Sequence, residues 1–111
     1  MEKLMLPKKN RVDTQEVNKI FKEGEFINSL SLTFKFFIVS GTERKISFIT
    51  PKSVAKGAVQ RNRLRRLGYS VLKNYLNDFP SGVIGVFIFK KYQDNVSILS
   101  NEIKNILSKI N

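Results

Sequence analysis

The chain contains no cysteine and no histidine. Without cysteine there is neither a disulfide framework nor a thiolate metal site, a composition that suits a reducing, cytoplasmic compartment. Without histidine the chain lacks both the commonest metal ligand and the commonest general base. Acids are scarce as well, with nine Asp and Glu against twenty Lys and Arg. Glu2, Asp13, Glu16, Glu23, Glu25, Glu43, Asp78, Asp94 and Glu102 are scattered, and none forms a paired motif in sequence near the most basic segment. Hydrolysis of a phosphodiester by metal-activated water needs carboxylates or phosphates to hold the metals. A protein-only nuclease therefore has little to work with here, and no catalytic or metal-ligating residue is assigned. No apolar run nears the roughly 18 to 20 residues of a membrane span. The basic residues 1–11 lead into no apolar segment of the kind that marks a signal peptide.

What is present is positive charge and phenylalanine. A net charge of +11 bears on partners rather than on fold, and leaves nucleic acid, an anionic membrane or an acidic protein as candidates. The 111 residues, 41% hydrophobic and including nine Phe, are enough for one domain, 1–111, with a modest core. Residues 1–11 read as an extended basic arm interrupted by Pro7. A helix should start near Asp13: Asp13 and Glu16 have capping-box spacing, Val12 and Val17 have staple spacing, and Gly24 is a plausible stop. Leu32 to Val39 reads as a strand, in which Phe34 and Phe36 share a face. The polar run Ser40 to Arg44 suggests a hairpin turn, with Lys45 to Thr50 returning as its partner strand. A short strand is possible over Phe26 to Leu30. The spacing of Leu64, Leu67, Val71, Leu72, Tyr75 and Leu76 predicts a long helix over 57–77. Val83 to Phe89 is apolar at almost every position, as a central strand buried on both faces would be. A last helix over 95–110 carries Val96, Leu99, Ile103, Ile106, Leu107 and Ile110 on its apolar face. The order is α-β-β-β-α-β-α, a two-layer α/β sandwich.

The charge is concentrated in one place. Between Lys45 and Asn77 there are eight cations and no acid, and Arg61, Arg63, Arg65 and Arg66 fall within six residues. At about 100° per residue, Asn62, Arg66, Tyr69 and Lys73 should point away from the apolar stripe, with Arg63 and Arg65 flanking that face and Arg61 nearer its edge. Arginine grips phosphate oxygens bidentately and stacks on bases. A solvated helix face is the bland alternative, but such faces usually interleave signs. A membrane-surface helix is another, yet the opposite side is already committed to a core. The aromatic strand also has two readings. Phe34, Phe36 and Phe37 could all be core, or Phe34 and Phe36 could line a groove where single-stranded RNA stacks its bases.

The segment Ala58-Val59-Gln60-Arg61-Asn62-Arg63-Leu64-Arg65-Arg66, preceded by Lys56-Gly57, resembles the signature of the bacterial ribonuclease P protein component. Lys9-Asn10-Arg11-Val12 and Phe21-Lys22-Glu23-Gly24 are similar to the way members of that family begin, and the resemblance extends over about Leu6 to Ile110. It implies a four-stranded sheet with a left-handed βαβ crossover, which the general handedness rule would not supply. It also implies a protein subunit that binds a catalytic RNA and the 5′ leader of precursor tRNA, so that the ribonucleoprotein trims tRNA 5′ ends. On that resemblance Arg61, Asn62, Arg63, Arg65 and Arg66 contact RNA, and Phe21, Phe34 and Phe36 line the leader cleft; the basic residues Lys52, Lys56 and Lys73 join the RNA-binding set on their charge and position. The partners would be the ribonuclease P RNA and precursor tRNA, with no membrane and no further protein called for. Catalysis would belong to the RNA, which would hold most of the Mg²⁺. The chain departs from the family pattern at Ser53 and Val54, where lysines are common, at Tyr69, where a basic residue often stands, and at Gly68, a poor helix former. A structural RNA-binding protein, such as a ribosomal protein, is the alternative that composition alone leaves open.

Overall fold

A computed structural model describes residues 11–110. Apart from Arg11, the expected basic arm lies outside the described residues. The elements are α1 (Thr14–Glu23), β1 (Glu25–Asn28), β2 (Leu32–Ile38), β3 (Lys45–Ile49), α2 (Ala58–Leu72), a 3-10 turn (Leu76–Asp78), β4 (Val83–Phe89) and α3 (Val96–Ile110). The start of α1 is fixed by a reciprocal capping box. Asp13 Oδ1 accepts from the Glu16 amide at 2.8 Å and Glu16 Oε1 accepts from the Asp13 amide at 3.0 Å. Glu16 Oε2 also meets Lys45 Nζ at 3.1 Å, tying α1 to β3 and raising the lysine pKa above its ordinary value. α2 stops earlier than the apolar spacing predicts. From Asn74 the amides bond back three residues rather than four, to Val71 and Leu72, and the chain tightens toward the 3-10 turn and β4.

The strand order is β1-β2-β4-β3. β2 and β3 are therefore not the expected hairpin. β4 lies between them, antiparallel to β2 (Phe34 opposite Phe87) and parallel to β3 (Phe48 opposite Phe87). The physical reason is the composition of β4: a strand apolar on both faces gains most from the interior of the sheet, and the more polar β3 is displaced to an edge. The hairpin is instead β1–β2. The turn into β4 needs glycine at Gly82, where φ is +81° and a Cβ would lie 2.0 Å from the Val39 carbonyl oxygen.

One face of the sheet is closed by α2 and α3, and the other carries α1. On the closed face Phe34, Phe36, Phe48, Phe87 and Phe89 form an aromatic floor, with Phe34 and Phe87 stacked at 4.4 Å between ring centroids. Leu64, Leu72, Leu99, Ile103 and Ile106 cover it. At about 25 cal/mol per Å² of apolar surface removed from water, closing this face is a large stabilising contribution. Two residues of α2 that looked anomalous in sequence belong to it. Tyr69, expected to face solvent, is 4% exposed, and its hydroxyl accepts from the Phe48 amide at 3.1 Å. At Gly68 a Cβ would lie 2.5 Å from the Phe48 ring, so the missing side chain is what lets α2 lie close against β3.

Candidate nucleic-acid interface

α2 presents its cations on the side turned away from that core. Arg63 and Arg66 are exposed, as are Lys52, Lys56 and Lys73 around them, and Arg65 is half-buried. The N-cap, Gly57, brings no side-chain acceptor to the first-turn amides, and the first turn carries no acid, an arrangement suited to anions. The expected RNA-facing residues differ in what holds them. Arg61 Nη1 donates to the carbonyls of Ala55 at 3.0 Å and Lys56 at 2.7 Å, so its guanidinium braces the loop that leads into the helix. Asn62 Oδ1 accepts from Arg65 Nη2. Arg63 Nη2 lies 3.4 Å from Asp94 Oδ2, which reaches it from the loop between β4 and α3. Arg66 projects into solvent. The basic string is thus partly self-organised, with Arg63 and Arg66 the arginines most open to a phosphate.

The second surface is the face of the sheet that carries α1. Lys35 and Phe37 of β2 lie on it, because they alternate with the buried Phe34 and Phe36. Phe26, opposite Lys35 across the β1–β2 pair, is 62% exposed, and Phe21, near the end of α1, is 46% exposed. Lys35 Nζ sits 5.0 Å from the Phe21 ring centroid, and Lys19 Nζ 4.7 Å from that of Phe37. The rings of Phe21 and Phe37, kept partly open with an ammonium over each, and the more exposed ring of Phe26 bring together the two features by which single strands are held: a plane for a base and a cation for the backbone.

This placement corrects two of the three expected cleft residues. Phe21 is on the open face. Phe34 and Phe36 are not: they are 0% and 5% exposed, stacked on one another at 5.1 Å, on the side covered by α2 and α3. Lys35, Phe37, Phe26 and Lys19 take their place as the aromatic and cationic groups of that face. The signal that could have found them is Lys35 itself, since a lysine in a strand with one buried face must lie on the open one.

Among the described residues no three carboxylates converge on a point. Glu102 is buried, but it serves the fold: Oε1 accepts from the Ser31 amide at 2.7 Å and from the Ser29 hydroxyl, fastening the β1–β2 turn to α3. No helix among the described residues is long and apolar enough to cross a membrane.

The ribonuclease P family model matches residues 6–111. The ribonuclease P protein component of Borrelia duttonii (strain Ly) is 31% identical over 110 residues, covering 99% of this chain and 92% of the relative. That of Borreliella afzelii (strain PKo) is 29% identical over 96 residues, 86% of each chain. Among solved structures, the RNase P protein from Thermotoga maritima superposes with a TM-score of 0.80 at 18% identity, covering 91% of this chain and 97% of that one. The Staphylococcus aureus RNase P protein gives 0.75 at 13% identity, covering 91% and 94%. At these identities the two solved structures speak to the fold, while the sequence matches speak to ancestry.

Proposed function

Since the chain belongs to the ribonuclease P protein family, and so takes part in tRNA 5′ processing as the protein component of that ribonuclease, we propose that it acts by binding RNA on two surfaces and leaves the chemistry to its RNA partner. The first surface is α2. Its arginines and the neighbouring Lys52, Lys56 and Lys73 grip phosphates of the catalytic RNA, releasing counterions as they do so. The second is the face built from Phe21, Phe26, Lys35 and Phe37, which holds the single-stranded 5′ leader of precursor tRNA. Mature tRNA lacks a leader, so only the precursor gains from this face. That difference in affinity is how a non-catalytic subunit raises the efficiency of the ribonucleoprotein.

The division of labour rests on the donor set. The chain has no His or Cys, and its described acids do not converge. The described residues do not fit a resident pair of Mg²⁺ ions, and Mg²⁺ is taken to sit mainly on RNA phosphates. The same reading places the protein in the cytoplasm, where tRNA precursors are made.

The observation that carries the proposal is the coexistence of an acid-poor arginine helix on one side and open, lysine-covered phenylalanines on the other. The test is reconstitution. The purified chain, added to a bacterial ribonuclease P RNA at low Mg²⁺, should promote removal of the leader, and the chain alone should leave precursor tRNA intact. Leader removal by the RNA-free protein, lost on substituting one of its acids, would place the chemistry on the protein instead.

A further inference from the structure

The interface has one feature that its RNA-binding role does not call for. From Lys45 to Asn77 the chain has no acid, yet the fold carries Asp94 from 31 residues away onto Arg63, one of the two most accessible arginines of α2. The contact is a single Nη2–Oδ2 approach of 3.4 Å, with the two side chains 64% and 40% exposed. It is neither bidentate nor shielded, so it contributes little to folding. Asp94 is not needed as a cap for α3 either, because Asn95 Oδ1 accepts from the Ile98 amide at 3.0 Å. What the carboxylate does offer Arg63 is an anionic oxygen of the same hydrogen-bonding kind as a phosphate oxygen.

We propose that Asp94 is a built-in competitor for RNA phosphate at Arg63 and thereby sets the RNA affinity of α2. This rests on the reading of α2 as an RNA-binding helix. In the free protein Asp94 occupies Arg63. In the complex a phosphate displaces it, and the carboxylate, now unpaired beside other phosphates, recruits a cation from solution. One of the counterions released by binding is therefore recaptured, and a repulsive charge remains at the edge of the interface. The consequence is restraint: a helix this basic would otherwise hold any RNA, and an affinity held down at one arginine favours partners that engage the rest of the surface as well.

The test is equilibrium binding of the full chain to a ribonuclease P RNA and, separately, to a mixed-sequence RNA duplex. It is run from low to moderate salt for the native protein, Asp94→Asn, Arg63→Ala and the double variant. Asp94→Asn should tighten binding by about 2- to 5-fold at low salt. It should also steepen the plot of log affinity against log salt by up to about 0.9, the share of one phosphate contact. In the Arg63→Ala background the same substitution should lose most of its effect. Unchanged or weaker binding by Asp94→Asn overturns the proposal, weaker binding meaning that the carboxylate orients Arg63 for RNA. Equal tightening with and without Arg63 also overturns it, since the charge would then act at a distance and not by competition. Arg63→Ala by itself reports on the underlying reading: if it does not weaken binding, Arg63 makes no phosphate contact and the competition proposed for it is overturned, whereas the Arg63→Ala, Arg66→Ala pair tests α2 as a whole. Thermal unfolding of each variant detects any loss of α3, and Asp94→Ser, uncharged and compatible with a helix start, supplies the same comparison if the Asn variant folds poorly.

Discussion

Four consecutive residues of β2 divide between two environments. Phe34 and Phe36 point under α2 and α3 into a stack of rings closed to solvent, while Lys35 and Phe37 point toward α1 and remain half open. Phenylalanine therefore does two jobs in one strand, separated by the side-chain alternation of the backbone. On the closed face the ring is valuable for its volume and its shape against other rings. On the open face, Phe37 keeps part of its ring at the surface, with the Lys19 ammonium over it. The residue type does not reveal which job applies; the parity of its position does.

Substitutions that ask each face to behave like the other sharpen this contrast. The largest effect is expected at the centre of the closed face. Phe34→Ala should destabilise the fold by roughly 3 to 5 kcal/mol in denaturant unfolding. Phe26→Ala, on the open face, should stay within about 0.5 kcal/mol of the native protein. Similar costs for the two would erase the distinction. Gly68→Ala comes next. An alanine is a better helix former than glycine, yet its Cβ would meet the Phe48 ring at 2.5 Å. Net destabilisation of about 1 to 3 kcal/mol is expected from the overlap. Stabilisation would instead mean that α2 can lift off β3 without loss. The smallest stability effect should come from Arg63→Ala combined with Arg66→Ala, which should leave unfolding within about 0.5 kcal/mol of native. That pair should nevertheless flatten the salt dependence of RNA binding by roughly 0.7 to 0.9 per lost phosphate contact. A folded double variant with an unchanged slope would move the RNA surface elsewhere.

Local signals were legible in the sequence, and long-range ones were not. The capping box of Asp13 and Glu16, the apolar stripes of α2 and α3 and the central character of β4 each follow from residues within a few positions of one another. Strand pairing does not. The polar turn from Ser40 to Arg44 suggests a β2–β3 hairpin, but β2 pairs with β1 on one side and on the other with β4, which lies beyond a whole helix. The helical wheel turns Tyr69 toward solvent, and in sequence Gly68 is only a poor helix former. Their placement depends on Phe48, a residue of another element, whose amide the tyrosine accepts and whose ring the glycine admits. Asp94 is invisible to any reading of the basic segment because it arrives from a distant loop. Phe34 and Phe36 share a face, as strand alternation predicts. Which face it was could have been decided by Lys35, whose charge excludes it from the side that must be buried. On the side of the site, the arginine helix was legible because its residues are contiguous, whereas the aromatic surface is assembled from α1, β1 and β2.

The most direct test of the two-surface account is the leader dependence of affinity in the reconstituted ribonucleoprotein. Phe37→Leu keeps most of the apolar bulk and removes the ring face. Affinity for precursor tRNA carrying a 5′ leader, and for mature tRNA, would be measured for this variant and, as a closed-face control, for Phe36→Leu. The account predicts that Phe37→Leu weakens precursor binding by roughly 1 to 3 kcal/mol for a lost base stack while mature tRNA binds as before, and that Phe36→Leu lowers thermal stability without changing the ratio of the two affinities. An unchanged ratio in Phe37→Leu, or a ratio that collapses only in Phe36→Leu, would contradict it.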